Sequence, residues 1–187
     1  MSVSTSIQRG GSTAAAWRPD HLEGLATDAW ATPPVIDAEH VQRISPDLDI
    51  WDAWPIQDDD GTPACLADGA TLWMALGAPR FDDPDERHAH ARIHLLRETA
   101  GDWEHLGPAM PDGFSPGSRE WSGSALLQPD RRSVTLFFTA TGRRGETVPT
   151  FEQRLFRATA TLVSDDGPPQ LTAWRDLQEI VRRDPAR

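Results

Sequence analysis

The stretch SVTLFFTAT, residues 133–141, alternates its side chains with a period of two. Val134, Leu136 and Phe138 form one wholly apolar face, and the opposite face is mixed, as expected for a β-strand that is partly covered on both sides. Turn-forming residues stand on either side of it. These are Gln128-Pro129-Asp130 and Gly142-Arg143-Arg144-Gly145. The stretch therefore predicts a strand that begins and ends at tight turns.

Similar short apolar or alternating runs recur along the chain between turn signals, and each has the length of a strand. They cover residues 64–67, 71–76, 91–97, 123–128, 153–163 and 170–174. Turn-separated short strands predict antiparallel hairpins, so the fold class is all-β. The pattern alone leaves a sandwich, a barrel and a propeller blade open. One short helix is predicted at residues 37–44, ended by Ser45-Pro46.

Length and composition predict one soluble folded domain in a chain of 187 residues, of which 38% are hydrophobic and 25% charged. Residues 1–35 are rich in small and polar side chains and end near Pro33-Pro34. We expect them to form a flexible N-terminal arm, and residues 36–187 to form the folded domain.

The net charge of −11 repels phosphate groups, which argues against nucleic acid or an anionic membrane as a partner. No window approaches the roughly 18 apolar residues that span a bilayer. Residues 1–16 lack the continuous apolar region of a standard signal peptide, and Cys65 is the only cysteine. The cellular location stays open.

The segment Trp51-Asp52-Ala53-Trp54-Pro55-Ile56-Gln57 places a carboxylate between two indoles, before a proline expected to end regular hydrogen bonding. An enzyme that transfers glycosyl groups with retention needs an ionised carboxylate as nucleophile, with apolar surface nearby to hold the sugar ring. The alternative is a turn aspartate beside two packing tryptophans.

A second segment, residues 115–125, reads SPGSREWSGSA and surrounds one tryptophan with small and polar residues just before a strand. Its hydroxyls and backbone amides could hold a carboxylate in its ionised form. Taken alone, it reads as a loop.

Together these segments resemble glycoside hydrolase family 68, the levansucrases, inulosucrases and related β-fructofuranosidases. Five segments match in order: residues 51–57, 83–95, 115–125, 136–146 and 153–162. The resemblance covers about residues 49–163, which corresponds to the first portion of the family's sequence.

The resemblance implies a five-bladed β-propeller of which this chain is a part, with sucrose as fructosyl donor and water, sucrose or a growing fructan as acceptor. It makes Asp52 the nucleophile, and it assigns Trp51, Trp121 and Ser122 to substrate binding, with Ser122 hydrogen-bonded to the nucleophile. The implied reaction is double displacement with net retention. It involves no cofactor.

The family completes its site with an Arg-Asp-Pro motif and a later glutamate that acts as general acid and base. Asp184 in Arg183-Asp184-Pro185 is read as a coincidence, because it lies too near Trp121 and lacks the usual preceding aromatic residue. We therefore expect little turnover from the chain alone. A separately encoded C-terminal half would be one partner that completes the site. The alternatives are a non-catalytic module that binds sucrose or fructan and a decayed, non-functional product.

Other clusters predict no metal site. His88, His90 and His94 would share one face of an extended strand, but no cysteine or matched carboxylate completes a tetrahedral set. The acidic runs at residues 58–60 and 82–86 lack calcium-loop spacing and are interpreted as solvated turns.

Overall fold

The computed structural model describes residues 18–22, 35–164 and 167–181, and within them the chain is all-β. Its eight strands are β1 Leu48–Gln57, β2 Thr71–Pro79, β3 Arg92–Thr99, β4 Asp102–Pro108, β5 Arg119–Leu127, β6 Ser133–Thr141, β7 Gln153–Val163 and β8 Gln170–Val181. The helices of the described ranges are short 3-10 segments of three to six residues, at Pro19–Leu22, Ala38–His40 and Pro84–Ala89. None of them has the length and hydropathy to cross a membrane.

The chain divides into two compact units, Met1–Gln42 and Arg43–Arg187. In the first unit the described parts are short 3-10 turns and extended chain. The arm predicted over residues 1–35 lies mostly outside the described residues, and the predicted boundary at residue 36 stays a prediction.

The second unit consists of two four-stranded antiparallel meanders, β1–β4 and β5–β8, each with the strand order of a propeller blade. Their first strands, β1 and β5, run parallel where they meet, at Ile56 with Ala125 and Gln57 with Leu126. Because the two meanders touch through their first strands, the residues just before this contact lie side by side.

One continuous core fills both meanders. Val134, Leu136 and Phe138 are at most 2% exposed, so the apolar face that predicted β6 is buried as expected. On the other meander Met74 and Ile93 are fully buried and belong to the same core. Burial of each such side chain stabilises the fold by about 1.5–3 kcal/mol.

Several predicted elements differ from the observed ones. Residues 64–67 form only an isolated bridge between Cys65 and Thr71, because the turn at Asp68-Gly69 follows at once. The helix predicted at residues 37–44 is wrong. It shrinks to the turn Ala38–His40, which buries no side chain and so gains nothing from packing.

Pro55 does not end regular pairing, contrary to expectation. It lies within β1 opposite Trp73, and the strand continues because Ile56 pairs with Ala125 and its carbonyl accepts from the N–H of Ala64. The two segments that the sequence singled out thus become the neighbouring inner strands β1 and β5.

Candidate active site

Asp52 lies in a β-bulge of β1. Trp51 pairs with Leu76 and Trp54 pairs with Met74, so two residues, Asp52 and Ala53, oppose a single residue of β2. The backbone φ of Asp52 is 49°, in the left-handed region that aspartate tolerates better than most residues. The bulge turns the side chain out of the sheet, and Asp52 is exposed.

Ser122 lies in a matching bulge of β5. Trp121 pairs with Thr139 and Gly123 pairs with Phe138, so Ser122 has no partner on β6. The bulge requires a glycine next to it, because a Cβ atom at Gly123 would overlap the backbone carbonyl of Phe137. Ser122 is exposed on the same side as Asp52.

The two bulges bring a hydroxyl to a carboxylate. Ser122 Oγ donates to Asp52 Oδ2 over 3.3 Å. The parallel contact of Ile56 with Ala125 holds the strands in this register, a few residues further along each. The structure therefore brings Asp52 and Ser122 together, as the resemblance implied.

The indole of Trp51 lies against the Pro84–Ala89 turn. The Arg87 guanidinium carbon is 4.8 Å from the centre of the Trp51 ring. A guanidinium at this distance over an indole is a cation–π contact. The ring centres of Trp51 and His88 are 5.9 Å apart in a T-shaped arrangement. The buried Arg87 Nε has no hydrogen-bond partner within the described ranges.

Trp121 meets the same turn from the other strand. Its Nε1 donates to the carbonyl of His88 over 3.4 Å, and its ring centre is 6.3 Å from that of Phe151. The turn is capped by Asp83, whose side chain accepts from the N–H of Asp85. One short capped turn thus contacts the indoles of both Trp51 and Trp121.

Glu120, to which the sequence assigned no role, connects the two meanders because its side chain on β5 contacts the start of β3. It is 2% exposed. One carboxylate oxygen accepts from Arg92 Nε over 3.0 Å, and the other accepts from the N–H of Ile93 over 2.9 Å. Burial raises the pKa of Glu120, against the opposing effects of the Arg92 guanidinium and the Ile93 N–H. Its partners lie almost thirty residues earlier in the chain, and no local pattern links them.

Arg92 also pairs with the exposed Asp112, at 2.7 Å. Burial alone would lower the pKa of Arg92, but the Glu120 and Asp112 carboxylates together raise it. The guanidinium therefore stays charged and ties the start of β3 to β5 directly beneath Trp121.

The histidines do not share a strand face, which corrects that expectation. His88 belongs to the Pro84–Ala89 turn and His90 follows it, stacked on Phe81. His94 is buried in β3, where its Nδ1 lies 2.8 Å from Nε2 of His105 on β4. The three side chains thus have separate environments.

The acidic runs hold turns. Asp60 accepts from both the N–H and the hydroxyl of Thr62, and Asp83 caps the 84–89 turn. Within the described residues, one group of possible metal ligands lies close together, the exposed Asp37, Glu39 and His40.

Comparison with known proteins gives one consistent family. The family model described as Levansucrase/Invertase matches residues 8–178. A levansucrase from Rahnella aquatilis is 31% identical over 139 residues, which cover 65% of this chain and 33% of that protein. The chain thus spans about a third of the length of the curated relatives it matches.

Solved structures agree. An inulosucrase from Halalkalicoccus jeotgali bound to kestose matches with a TM-score of 0.69 and 32% identity, over 76% of this chain and 35% of that one. A levansucrase variant from B. megaterium matches with a TM-score of 0.64 and 26% identity, over 81% of this chain and 37% of that one. The two meanders are therefore part of a five-bladed β-propeller.

Proposed function

The chain belongs to the levansucrase/invertase family, glycoside hydrolase family 68, and from that membership we propose that it carries the nucleophile half of a fructosyltransferase acting on sucrose. The observation that supports this proposal is the hydrogen bond from Ser122 to Asp52, with Trp51 and Trp121 adjacent to these residues in β1 and β5. The same arrangement fits both sucrose hydrolysis and fructan synthesis.

In the proposed reaction, a carboxylate oxygen of Asp52 attacks the anomeric carbon of the fructosyl unit. The bond to the glucose oxygen breaks, and that oxygen takes a proton from a general acid. Water or a sugar hydroxyl then attacks the same carbon, loses its proton to a base and releases Asp52, so that two inversions give net retention.

In this reaction Ser122 would hydrogen-bond to the Asp52 carboxylate, and the indoles of Trp51 and Trp121 would contact the sugar ring. The Ser122 hydroxyl donates to Asp52 Oδ2 and holds the nucleophilic carboxylate in one orientation for attack. Trp51 and Trp121 supply flat apolar surface beside the bulges, suited to the C–H face of a sugar ring. The cation–π contact with Arg87 and the hydrogen bond to His88 fix these surfaces.

The general acid is the part for which the resemblance assigns no residue in this chain. General acid catalysis contributes typically 10²–10⁴-fold. A donor whose leaving group departs unprotonated removes that requirement, and β-fructofuranosyl fluoride is such a donor. It therefore tests the Asp52 half of the mechanism separately from the proton donor.

The experiment mixes the purified chain with β-fructofuranosyl fluoride and records the intact mass. We expect a gain of one fructosyl unit in the wild type and no gain in Asp52→Asn. Asp49→Asn is the matched control, since Asp49 lies on the same strand and pairs with Arg43 and Arg80. Equal labelling of Asp52→Asn would refute the assigned nucleophile.

A measurement of sucrose binding distinguishes the proposed enzyme from a non-catalytic sugar-binding module. Calorimetric binding of sucrose by the wild type, without any fructosyl adduct from the fluoride, would identify a non-catalytic sugar-binding module instead. Adduct formation that depends on Asp52 excludes that module and a decayed product alike.

A further inference from the structure

Phe151 lies at the end of the loop between β6 and β7 and is 74% exposed. Its ring centre is 6.3 Å from that of Trp121, with 53° between the planes. An exposed phenylalanine is common on protein surfaces and needs no explanation by itself. This one differs because it extends the aromatic surface of the proposed sugar site outward.

Arg119 holds this ring from beneath. Its side chain is 2% exposed, its guanidinium carbon is 5.5 Å from the centre of the Phe151 ring, and one of its N–H groups donates to the carbonyl of Thr150. A buried guanidinium is unfavourable unless it is paired, so these contacts strongly favour one position of the loop. The backbone next to Phe151 and the ring itself are both fixed by them.

Glu146 adds a second tie. Its carboxylate accepts from Ser118 Oγ over 2.6 Å and from Thr150 Oγ1 over 2.8 Å, and it lies 4.0 Å from the Arg119 guanidinium. These hydrogen bonds lower the pKa of Glu146 to about 2, so it is ionised at neutral pH. Phe151 is thus presented to solvent by a loop that is already in place, and preorganisation of this kind reduces the entropic penalty of binding.

We propose that Phe151 is a stacking platform for the second hexose, the glucosyl ring of sucrose and the sugar acceptor that replaces it. This assignment rests on the proposed function. The glucose leaves from, and the acceptor arrives at, the face of the anomeric carbon opposite Asp52, so both sugars occupy one position. The ring of Phe151 lies beside Trp121 and is 74% exposed, so its free face can take up a sugar ring next to the one that contacts Trp121.

The test compares the affinities of sucrose and of fructose, measured by calorimetry on the whole chain. In Phe151→Ala we expect sucrose to bind about tenfold more weakly, because both the stacking contact and the apolar burial of the second ring are lost. Fructose should bind as before, since it lacks the second ring. Phe151→Tyr should keep the sucrose affinity, and Val148→Ala is the matched control, because Val148 is on the same loop and 71% exposed.

β-Fructofuranosyl fluoride also lacks the second hexose, so its reaction tests the Asp52 chemistry without involving Phe151. Phe151→Ala should form the fructosyl adduct at the wild-type rate. Equal losses of sucrose and fructose affinity, or none, in Phe151→Ala would overturn the platform while leaving the Asp52 chemistry intact. Absence of sucrose binding in the wild type would overturn it too, and absence of the adduct in the wild type would overturn the proposed function instead.

Discussion

Ser122 and Asp52 lie 70 residues apart in the chain, yet each occupies a β-bulge of an inner strand, and the serine hydroxyl donates to the carboxylate over 3.3 Å. Bulges re-aim side chains without ending a sheet. Here two of them turn one acidic and one hydroxyl side chain towards each other at the contact between two blades.

Removal of this hydroxyl should slow attack by Asp52. Because this hydrogen bond holds the Asp52 carboxylate in its orientation for attack, we expect Ser122→Ala to form the fructosyl adduct about tenfold more slowly. The rate is read from intact mass against time. Ser124→Ala is the control, since Ser124 is exposed on the same strand, opposite Phe137. Equal rates for both variants would show that the contact has no role in reactivity.

The bulge in β5 should depend on Gly123. A Cβ atom there would overlap the Phe137 carbonyl, so Gly123→Ala must shift the backbone. We expect the free energy of unfolding to fall by about 1–3 kcal/mol in a urea titration. Gly167→Ala meets no atom within 4 Å and should change it by less than about 0.5 kcal/mol. Equal stabilities of the two variants would contradict the close approach.

The two carboxylates on Arg92 should differ sharply in their contribution to stability. Glu120 is 2% exposed and Asp112 has a side chain that is 94% exposed. Glu120→Gln breaks a buried pair and should lower the free energy of unfolding by about 3 kcal/mol. Asp112→Asn should lower it far less, because solvent screens an exposed pair. If Asp112→Asn lost as much as Glu120→Gln, the buried connection would not be the dominant one.

His94 should make the fold sensitive to mild acid. Burial lowers its pKa to about 4, with smaller effects of the neighbouring His105 and Arg92 charges. The two neutral rings share one proton between Nδ1 of His94 and Nε2 of His105, and protonation of both rings would set two donors against each other.

Because the folded pKa of His94 lies below the unfolded value of about 6.5, the unfolded state binds the extra proton first. Stability is therefore full above about pH 6.5 and decreases as the pH falls towards 4, by up to roughly 3 kcal/mol. In His94→Gln, the free energy of unfolding measured by urea titration should change less with pH between 6.5 and 4. An unchanged slope between pH 6.5 and 4 would exclude His94 as the cause.

The strands were predictable where alternation was strong. β6 and β7 have their predicted bounds, whereas β4 was missed because charged and aromatic residues alternate in it without a clear apolar face. β1 was missed because Pro55 and the bulge at Asp52 interrupt its period. A bulge interrupts the alternation of its own strand and brings the bulged residue to a contact far away in the chain. The sequence pattern shows only the interruption.

The site was only partly predictable for a similar reason. Asp52, Ser122 and the two indoles followed from the resemblance, but the residues that hold them did not. Glu120 meets Arg92 across 28 residues, and Phe151 belongs to a loop without periodicity. The first contact arises from the pairing of the two blades and the second from the packing of a loop on its own blade, and no single segment encodes either.

The central claim is that Asp52 is the nucleophile, and the most direct measurement is the position of the fructosyl group after reaction with β-fructofuranosyl fluoride. Trypsin cleaves after Arg43 and Arg80, so Asp52 is recovered in the peptide of residues 44–80. Fragment-ion mass spectrometry of that peptide should place one fructosyl ester on Asp52. An ester on any other residue, or an unmodified peptide from protein that binds sucrose, would contradict the claim.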